Sequence, residues 1–141
     1  MGKRSNFDRL ARDFYPTPYE AVVPLLPHLG GVDGFAEPCA GDGGLAEHLE
    51  LAGYICTWWS DLEPQGHYPI ARMDYIELGL IHLRRSSHII TNPPWDRKLL
   101  HPMIEHFCAL KPTWLLFDAD WMHAKQSARF MPWLVKIVSV G

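Results

Sequence analysis

The chain has 141 residues, 48% hydrophobic and 21% charged, which is enough for one domain with a core of its own and typical of a soluble globular protein. Thirteen basic against sixteen acidic residues give a formal net charge of −3 with histidines neutral, which argues against a domain that holds nucleic acid mainly through a broad basic surface. No apolar run is long enough to span a bilayer. The opening Met1-Gly2-Lys3-Arg4-Ser5-Asn6 runs into charged residues instead of an apolar signal region, and position 6 lacks the Ser or Thr that myristoylation prefers. The three cysteines (Cys39, Cys56, Cys108) are odd in number, far apart and without zinc spacing, so reduced thiols and a cytoplasmic setting are expected.

In chain order, Asp13-Phe14-Tyr15-Pro16-Thr17-Pro18 reads as rigid and extended, because a residue before proline avoids the helical region. Glu20 to Leu29 reads as a helix interrupted by Pro24 and Pro27. Residues 35–40 read as a short strand despite Pro38, followed by the flexible turn Gly41-Asp42-Gly43-Gly44. Leu45, Leu49 and Ala52 then fall at helical spacing, and Gly53 ends that helix. Tyr54 to Ser60 is a β-branched and aromatic strand ending at Asp61, and Tyr68 to Met73 a weaker one ending at Asp74. The interval between the two acids is short and rich in Pro and Gly, which predicts a loop instead of a helical crossover. Residues 76–84 suggest a helix, and His88 to Thr91 a buried strand. Residues 97–110 read as an amphipathic helix with Leu100, Ile104, Phe107 and Cys108 on one side. A strand from Thr113 to Phe117, a helix over 123–131 and a final strand from Val135 to Val140 complete the chain. This alternation predicts an α/β domain, a mostly parallel sheet with helices on both faces.

In an open parallel sheet, ligands bind beyond the carboxyl ends of the strands where strand order reverses. Four features share that edge: the turn Gly41 to Gly44, Asp61, Asp74, and Asn92-Pro93-Pro94-Trp95. The glycine turn lets a ligand approach the backbone closely, or is only a turn. Asp61 lies at the distance from Gly41 at which an acid meets ribose hydroxyls in such folds, though both it and Asp74 could equally cap strand ends. Glu37 inside an apolar strand is costly to bury without partners, and reads either as a ligand contact or as a hydrogen-bond hub for the turn. Asn92 offers a side-chain oxygen acceptor, Pro93 a backbone carbonyl and Trp95 a flat apolar face. Together they suit a planar group with an exocyclic NH2, such as a nucleobase amine or a glutamine amide. Arg97-Lys98 and Arg84-Arg85 are candidates for local contacts to a nucleic acid, or are solvated surface charges. Asp118 and Asp120, after the fifth strand, read as caps for the following helix or as further lining of the same cleft. His101 and His106 lie five apart, off a shared metal-binding face, and no cluster has metal-ligand spacing.

Three of these stretches, in this order, resemble a known family. Asp-Phe-Tyr-Pro-Thr-Pro (13–18), Glu-Pro-Cys-Ala-Gly-Asp-Gly-Gly-Leu (37–45) and Thr-Asn-Pro-Pro-Trp (91–95) are similar to the S-adenosylmethionine-dependent DNA adenine-N6 methyltransferases, especially the small phage-type ones. The resemblance runs from about residue 13 to the C-terminus. It implies a Rossmann-like class I methyltransferase fold, S-adenosylmethionine as cofactor, and DNA as substrate with the target base flipped out of the duplex. It further implies that Tyr15 and Thr17 close over the methionine end of the cofactor. Glu37, Ala40, Gly41 and Gly43 would form its main pocket, Asp61 would hold the ribose and Asp74 the cofactor's adenine. Asn92 and Pro93 would accept hydrogen bonds from the target amine, with Pro94 completing the signature and Trp95 stacking on the base.

The chain departs from that family in two respects. No separate target-recognition domain is visible, so sequence specificity is expected to come from short loops or a partner, or to be low. The family's sheet also ends in an antiparallel hairpin whose last strand inserts between the fifth and sixth, and here the sequence stops about where the sixth strand would end. The last antiparallel strand is therefore expected to be missing, leaving an edge that a second copy or a partner chain could complete. Two alternatives remain beside DNA adenine methylation. One is methylation of another amine, namely cytosine N4, an RNA base or a protein glutamine. The other is a truncated, non-catalytic subunit that binds cofactor or DNA.

Overall fold

The computed structural model describes residues 16–66 and 68–141. Five strands form one sheet: β1 (Phe35–Glu37), β2 (Cys56–Asp61), β3 (Ala71–Arg72), β4 (His88–Thr91) and β5 (Thr113–Leu115). Their spatial order is β3-β2-β1-β4-β5, and every pairing is parallel. The fold is thus α/β with an all-parallel sheet flanked by helices. Strand order reverses between β1 and β4, so the carboxyl ends of those two strands frame a crevice.

Alternation along the strands explains the two buried faces. Phe35 and Ile90 point to one side, where they pack with Val22 of α1 (Tyr19–Val22), Leu29, and Leu45 and Leu49 of α2 (Gly44–Leu51). Their neighbours Ala36 and Ile89 point to the other side, against Leu78, Leu83, and Met103 and Phe107 of α3 (Arg97–Leu110). Phe35 and Phe107 are both fully buried, each contributing roughly 1.5–3 kcal/mol of transfer free energy. Behind α3, Leu100 and Ile104 meet Trp121 and Phe130 in a third cluster.

Several elements are shorter or tighter than their sequence suggests. β1 ends at Glu37 because Pro38 cannot donate to the ladder. Pro24 and Pro27 likewise remove donors, so α1 gives way to a 3-10 helix over Val23–His28. The helix expected over 76–84 is a single 3-10 turn, Tyr75–Glu77. Beyond it, the Gly79 amide donates to the ring of His82 instead of to a helical carbonyl. The helix expected over 123–131 is two 3-10 stretches, Ala119–His123 and Lys125–Trp133, parted by Ala124 in an extended conformation. Cys108, expected on the buried side of α3, is exposed.

The strand expected from Val135 to Val140 does not form. No residue after Trp133 belongs to a helix or strand, and Val135 is 94% exposed. A β-branched run becomes a strand only where a neighbouring backbone accepts its hydrogen bonds, and here none does. No antiparallel strand occurs among the described residues. The connection from β2 to β3 is a loop without a helix, as its composition predicts. None of the described helices is long and apolar enough to cross a membrane.

Candidate functional site

A cavity of about 390 Å³ opens over the carboxyl ends of β1, β2 and β4, within the range of roughly 300–1,000 Å³ usual for small-molecule sites. Its wall draws on each of the four features that the sequence places at the carboxyl edge of the sheet. Thr17, Glu37, Ala40, Gly41, Asp61, Asp74, Asn92 and Pro94 all line it. Tyr15 lies outside the described residues.

The loop after β1 is braced against β2. The Ala40 amide donates to the Ser60 carbonyl at 2.9 Å, and the Gly41 amide to Asp61 Oδ2 at 2.9 Å. Asp61 Oδ1 accepts from the Glu63 amide at 2.8 Å. One carboxylate therefore shapes both loops that rim this end of the cavity. Each of its oxygens keeps a second lone pair for a ligand hydroxyl. Gly41 (φ 59°) and Gly43 (φ 88°) occupy the left-handed region that glycine tolerates without strain. Asp74 accepts from the Ile76 amide at 3.3 Å, capping the turn that carries Tyr75 into the wall.

Glu37 lies at the bottom and is 1% exposed. Its Oε1 accepts from the Cys39 backbone amide at 2.9 Å and from the Thr91 hydroxyl, and the Asn92 backbone N–H also favours its charged form. Desolvation outweighs these contacts, with a smaller push from Asp61, and the carboxyl is raised to about 8. At neutral pH it is mostly protonated. A cationic group in the cavity would draw the proton off. Cys39 is pushed well up by burial and by Glu37, so its thiol is inert; its sulfur lies 4.0 Å from that of Met103.

Asn92 donates from Nδ2 to Thr17 Oγ1 at 3.1 Å, and the Thr17 carbonyl meets His48 Nε2 of α2 at 3.0 Å. The two prolines after Asn92 behave differently. Pro94 lines the cavity, whereas Pro93 is buried and is not part of its wall. Trp95 stands outside, 40% exposed, with its Nε1 donating to the Leu116 carbonyl at 3.1 Å.

Gly43 also lies off the wall. A Cβ there would come within 2.7 Å of the Tyr68 ring and 3.1 Å of Trp59, two rings stacked 5.2 Å apart. That packing adds to its left-handed φ in requiring glycine. Asp118 caps the following 3-10 helix through the Asp120 amide, as its position suggests. Arg97 and Lys98 are exposed on the first turn of α3, next to the Asn92–Trp95 segment, and Arg97 donates to Gln126. Arg84 and Arg85 precede β4 at its amino end, and the Arg85 carbonyl lies against Gly34 just before β1. They sit at the opposite edge of the sheet from the cavity.

Several wall residues have no motif to mark them. Leu62, Tyr75, Leu99 and Met103 supply apolar surface, and Gln65 joins them. Leu62 and Tyr75 directly follow Asp61 and Asp74, a position that could have flagged them. Leu99 and Met103 are one helical turn apart on α3, which the stripe at 100, 104 and 107 conceals.

Comparison of the chain with protein-family models, with curated proteins and with solved structures finds no match.

Proposed function

We propose that this chain transfers a methyl group from S-adenosylmethionine to the N6 amine of adenine in DNA. One observation carries the reading. The acids that end β1 and β2, the acid just beyond β3 and the side-chain amide of Asn92 after β4 meet in a single cavity at the point where strand order reverses. The cavity suits the cofactor in size and in the order of its chemistry. Asp61 offers acceptors to a ribose diol, and Asp74 offers one to an adenine amine. Leu62, Tyr75 and Leu99 offer flat apolar contact, and Glu37 is a carboxyl that a sulfonium or ammonium would ionise. When bound, S-adenosylmethionine supplies an electrophilic methyl group.

The protein's part is alignment. An exocyclic amine is a poor nucleophile while its lone pair is delocalised into the ring. An acceptor on one of its hydrogens, from the Asn92 side chain in the wall, favours a geometry in which the lone pair faces the methyl carbon. The Pro93 carbonyl, which the resemblance gives as the second acceptor, belongs to a residue off the wall. The base must leave the duplex to reach the cavity, and exposed Trp95 offers it a stacking face. Arg97 and Lys98 supply local charge for phosphates, which a chain of net charge −3 needs in place of a broad basic face.

Labelled S-adenosylmethionine offered with unmethylated DNA, RNA or protein tests this. Label recovered as N6-methyladenine from DNA is the expected outcome. Label on cytosine N4, on RNA or on glutamine would reassign the acceptor. Absence of both transfer and cofactor binding by calorimetry would end the proposal.

A further inference from the structure

We infer that Thr17 is a positioning residue, whose hydroxyl fixes the orientation of the Asn92 amide and whose carbonyl ties that amide to α2. The inference rests on the methyl-transfer reading and adds to it a role for a residue on the segment that precedes α1.

Thr17 is only 8% exposed, although it lies on an extended segment outside the sheet. Prolines 16 and 18 flank it and have no N–H, so the backbone here cannot be held by a ladder of its own. Two contacts hold it instead. His48 Nε2 donates to the Thr17 carbonyl at 3.0 Å, and the same ring meets Tyr19 edge-on at 5.5 Å. Thr17 Oγ1 accepts from Asn92 Nδ2 at 3.1 Å. A stiff Pro-Thr-Pro bracket thereby links α2, which follows the glycine turn, to the asparagine that follows β4.

The chemistry depends on which end of that amide is turned which way. A carboxamide is planar, with a donor at one end and an acceptor at the other. Only the oxygen can accept from an amine, and a reversed amide would present N–H to N–H. With Nδ2 directed at Thr17, Oδ1 lies at the opposite end of the group. In the structure the hydroxyl accepts from Nδ2 and so holds Asn92 with its oxygen turned the other way, and the bracket's anchor on α2 sets where that face stands relative to the cofactor half of the cavity. A residue that only closed over the cofactor would instead act on cofactor affinity.

The full chain carrying Thr17→Val or Thr17→Ser separates these roles. Valine keeps the shape and removes the acceptor, while serine keeps the hydroxyl. Thr17→Val is expected to lower kcat by roughly 10- to 100-fold, the scale of a mispositioned reacting group. The acceptor KM and the S-adenosylmethionine Kd from calorimetry should stay within about threefold, and Thr17→Ser should recover most of kcat. Loss of cofactor affinity in step with kcat, or a serine variant as poor as valine, overturns the inference.

Urea unfolding of Thr17→Val, Asn92→Ala and the double variant supplies a readout that needs no activity. The unfolding equilibrium constant of the double variant should rise by less than the product of the two single fold-changes. Simple multiplication would overturn the contact itself. A wild-type protein that binds cofactor yet methylates nothing would sink the methyl-transfer reading and the kinetic role with it. The unfolding cycle would then decide the Thr17–Asn92 contact alone.

Discussion

The Gly41 amide and the Asp61 carboxylate, twenty residues apart, are joined by a 2.9 Å hydrogen bond that closes the glycine loop onto the end of β2. The same carboxylate takes the Glu63 amide on its other oxygen. Asp61→Asn would turn an NH2 toward one of these donors. It should cost about 1–3 kcal/mol, the usual penalty for a part-buried donor left unmatched. Urea unfolding measures the loss, and calorimetry should show nucleoside-type ligands weakened with it. An asparagine variant of wild-type stability would mean that the carboxylate does not shape the loop.

Gly43→Ala should be costlier than Gly53→Ala, although both glycines have positive φ. At Gly53 (φ 100°) a Cβ would meet nothing within 4 Å, so only backbone strain of about 1–2 kcal/mol is added. At Gly43 the same strain comes with a 2.7 Å approach to Tyr68, which must give up its stack on Trp59. Near-ultraviolet circular dichroism should register the lost stack in Gly43→Ala alone, and its melting temperature should fall further.

These two positions also show what the sequence could and could not reveal. The alternation of β-branched runs with helical stripes is enough to place all five strands; Asp61 ends its strand as expected, whereas β3 stops at Arg72 and Asp74 lies two residues beyond it. Asn92 meets Glu37 because both leave the sheet at its switch point, which follows from strand order once the sheet is parallel. Gly43 was legible as a turn, but not the reason for it. The Trp59–Tyr68 stack joins residues on either side of a loop, and no local pattern encodes that. The helix expected over 76–84 fails for a similar reason, since the His82 ring offers the Gly79 amide an acceptor outside any helical ladder. The apolar run at 135–140 has strand character but no paired backbone, and pairing is decided by tertiary contact.

Asn92→Ala removes the side-chain acceptor and the partner of Thr17 while leaving the acids at 37, 61 and 74 in place. Methyl transfer should fall by on the order of 10²–10³, and cofactor binding should persist. A single-turnover assay alongside calorimetry checks both halves. Transfer at near-normal rate would remove Asn92 from the reaction.

The protonated state of Glu37 makes stability depend on pH in an unusual direction. Burial raises this carboxyl from 4.5 to about 8 in the folded chain. Its contribution is complete below the unfolded value and is lost as pH rises from 4.5 through about 8, because folding then requires either a buried charge or a retained proton. Relative to Glu37→Gln, the wild type should lose up to on the order of 4 kcal/mol across that window. Unfolding of both chains at several pH values tests the slope, and a flat difference would mean that Glu37 is ionised throughout. A cationic ligand should reverse the balance by favouring the carboxylate. Binding of S-adenosylmethionine near neutral pH should therefore release a proton, visible as a binding heat that varies with the ionisation enthalpy of the buffer.

His101 should make the face of α3 turned away from the cavity sensitive to acid. Its Nε2 accepts from Trp121 Nε1 at 3.0 Å, and its ring packs against Phe130 at 5.1 Å. Burial lowers its pKa, and Arg129 and then Arg97 add to the effect against a smaller opposing pull from Glu105. A histidine depressed in the folded state contributes stability that is full above its unfolded value of 6.5 and is lost as pH falls through the folded value. Protonation does two things here. It converts the acceptor into a second donor facing the Trp121 N–H, and it places a cation among aromatic rings next to two guanidinium groups. The 3-10 stretches 119–123 and 125–133 are attached to α3 largely through this cluster, so they should loosen first. Hydrogen exchange of their amides should speed up on acidification while that of β1 and β4 holds. His101→Leu cannot titrate, and it leaves the indole N–H without its acceptor. It should be less stable than wild type at pH 8 by about 1–2 kcal/mol, and that gap should close as the wild type is acidified. Parallel acid curves for the two chains would show that His101 is not the group that titrates.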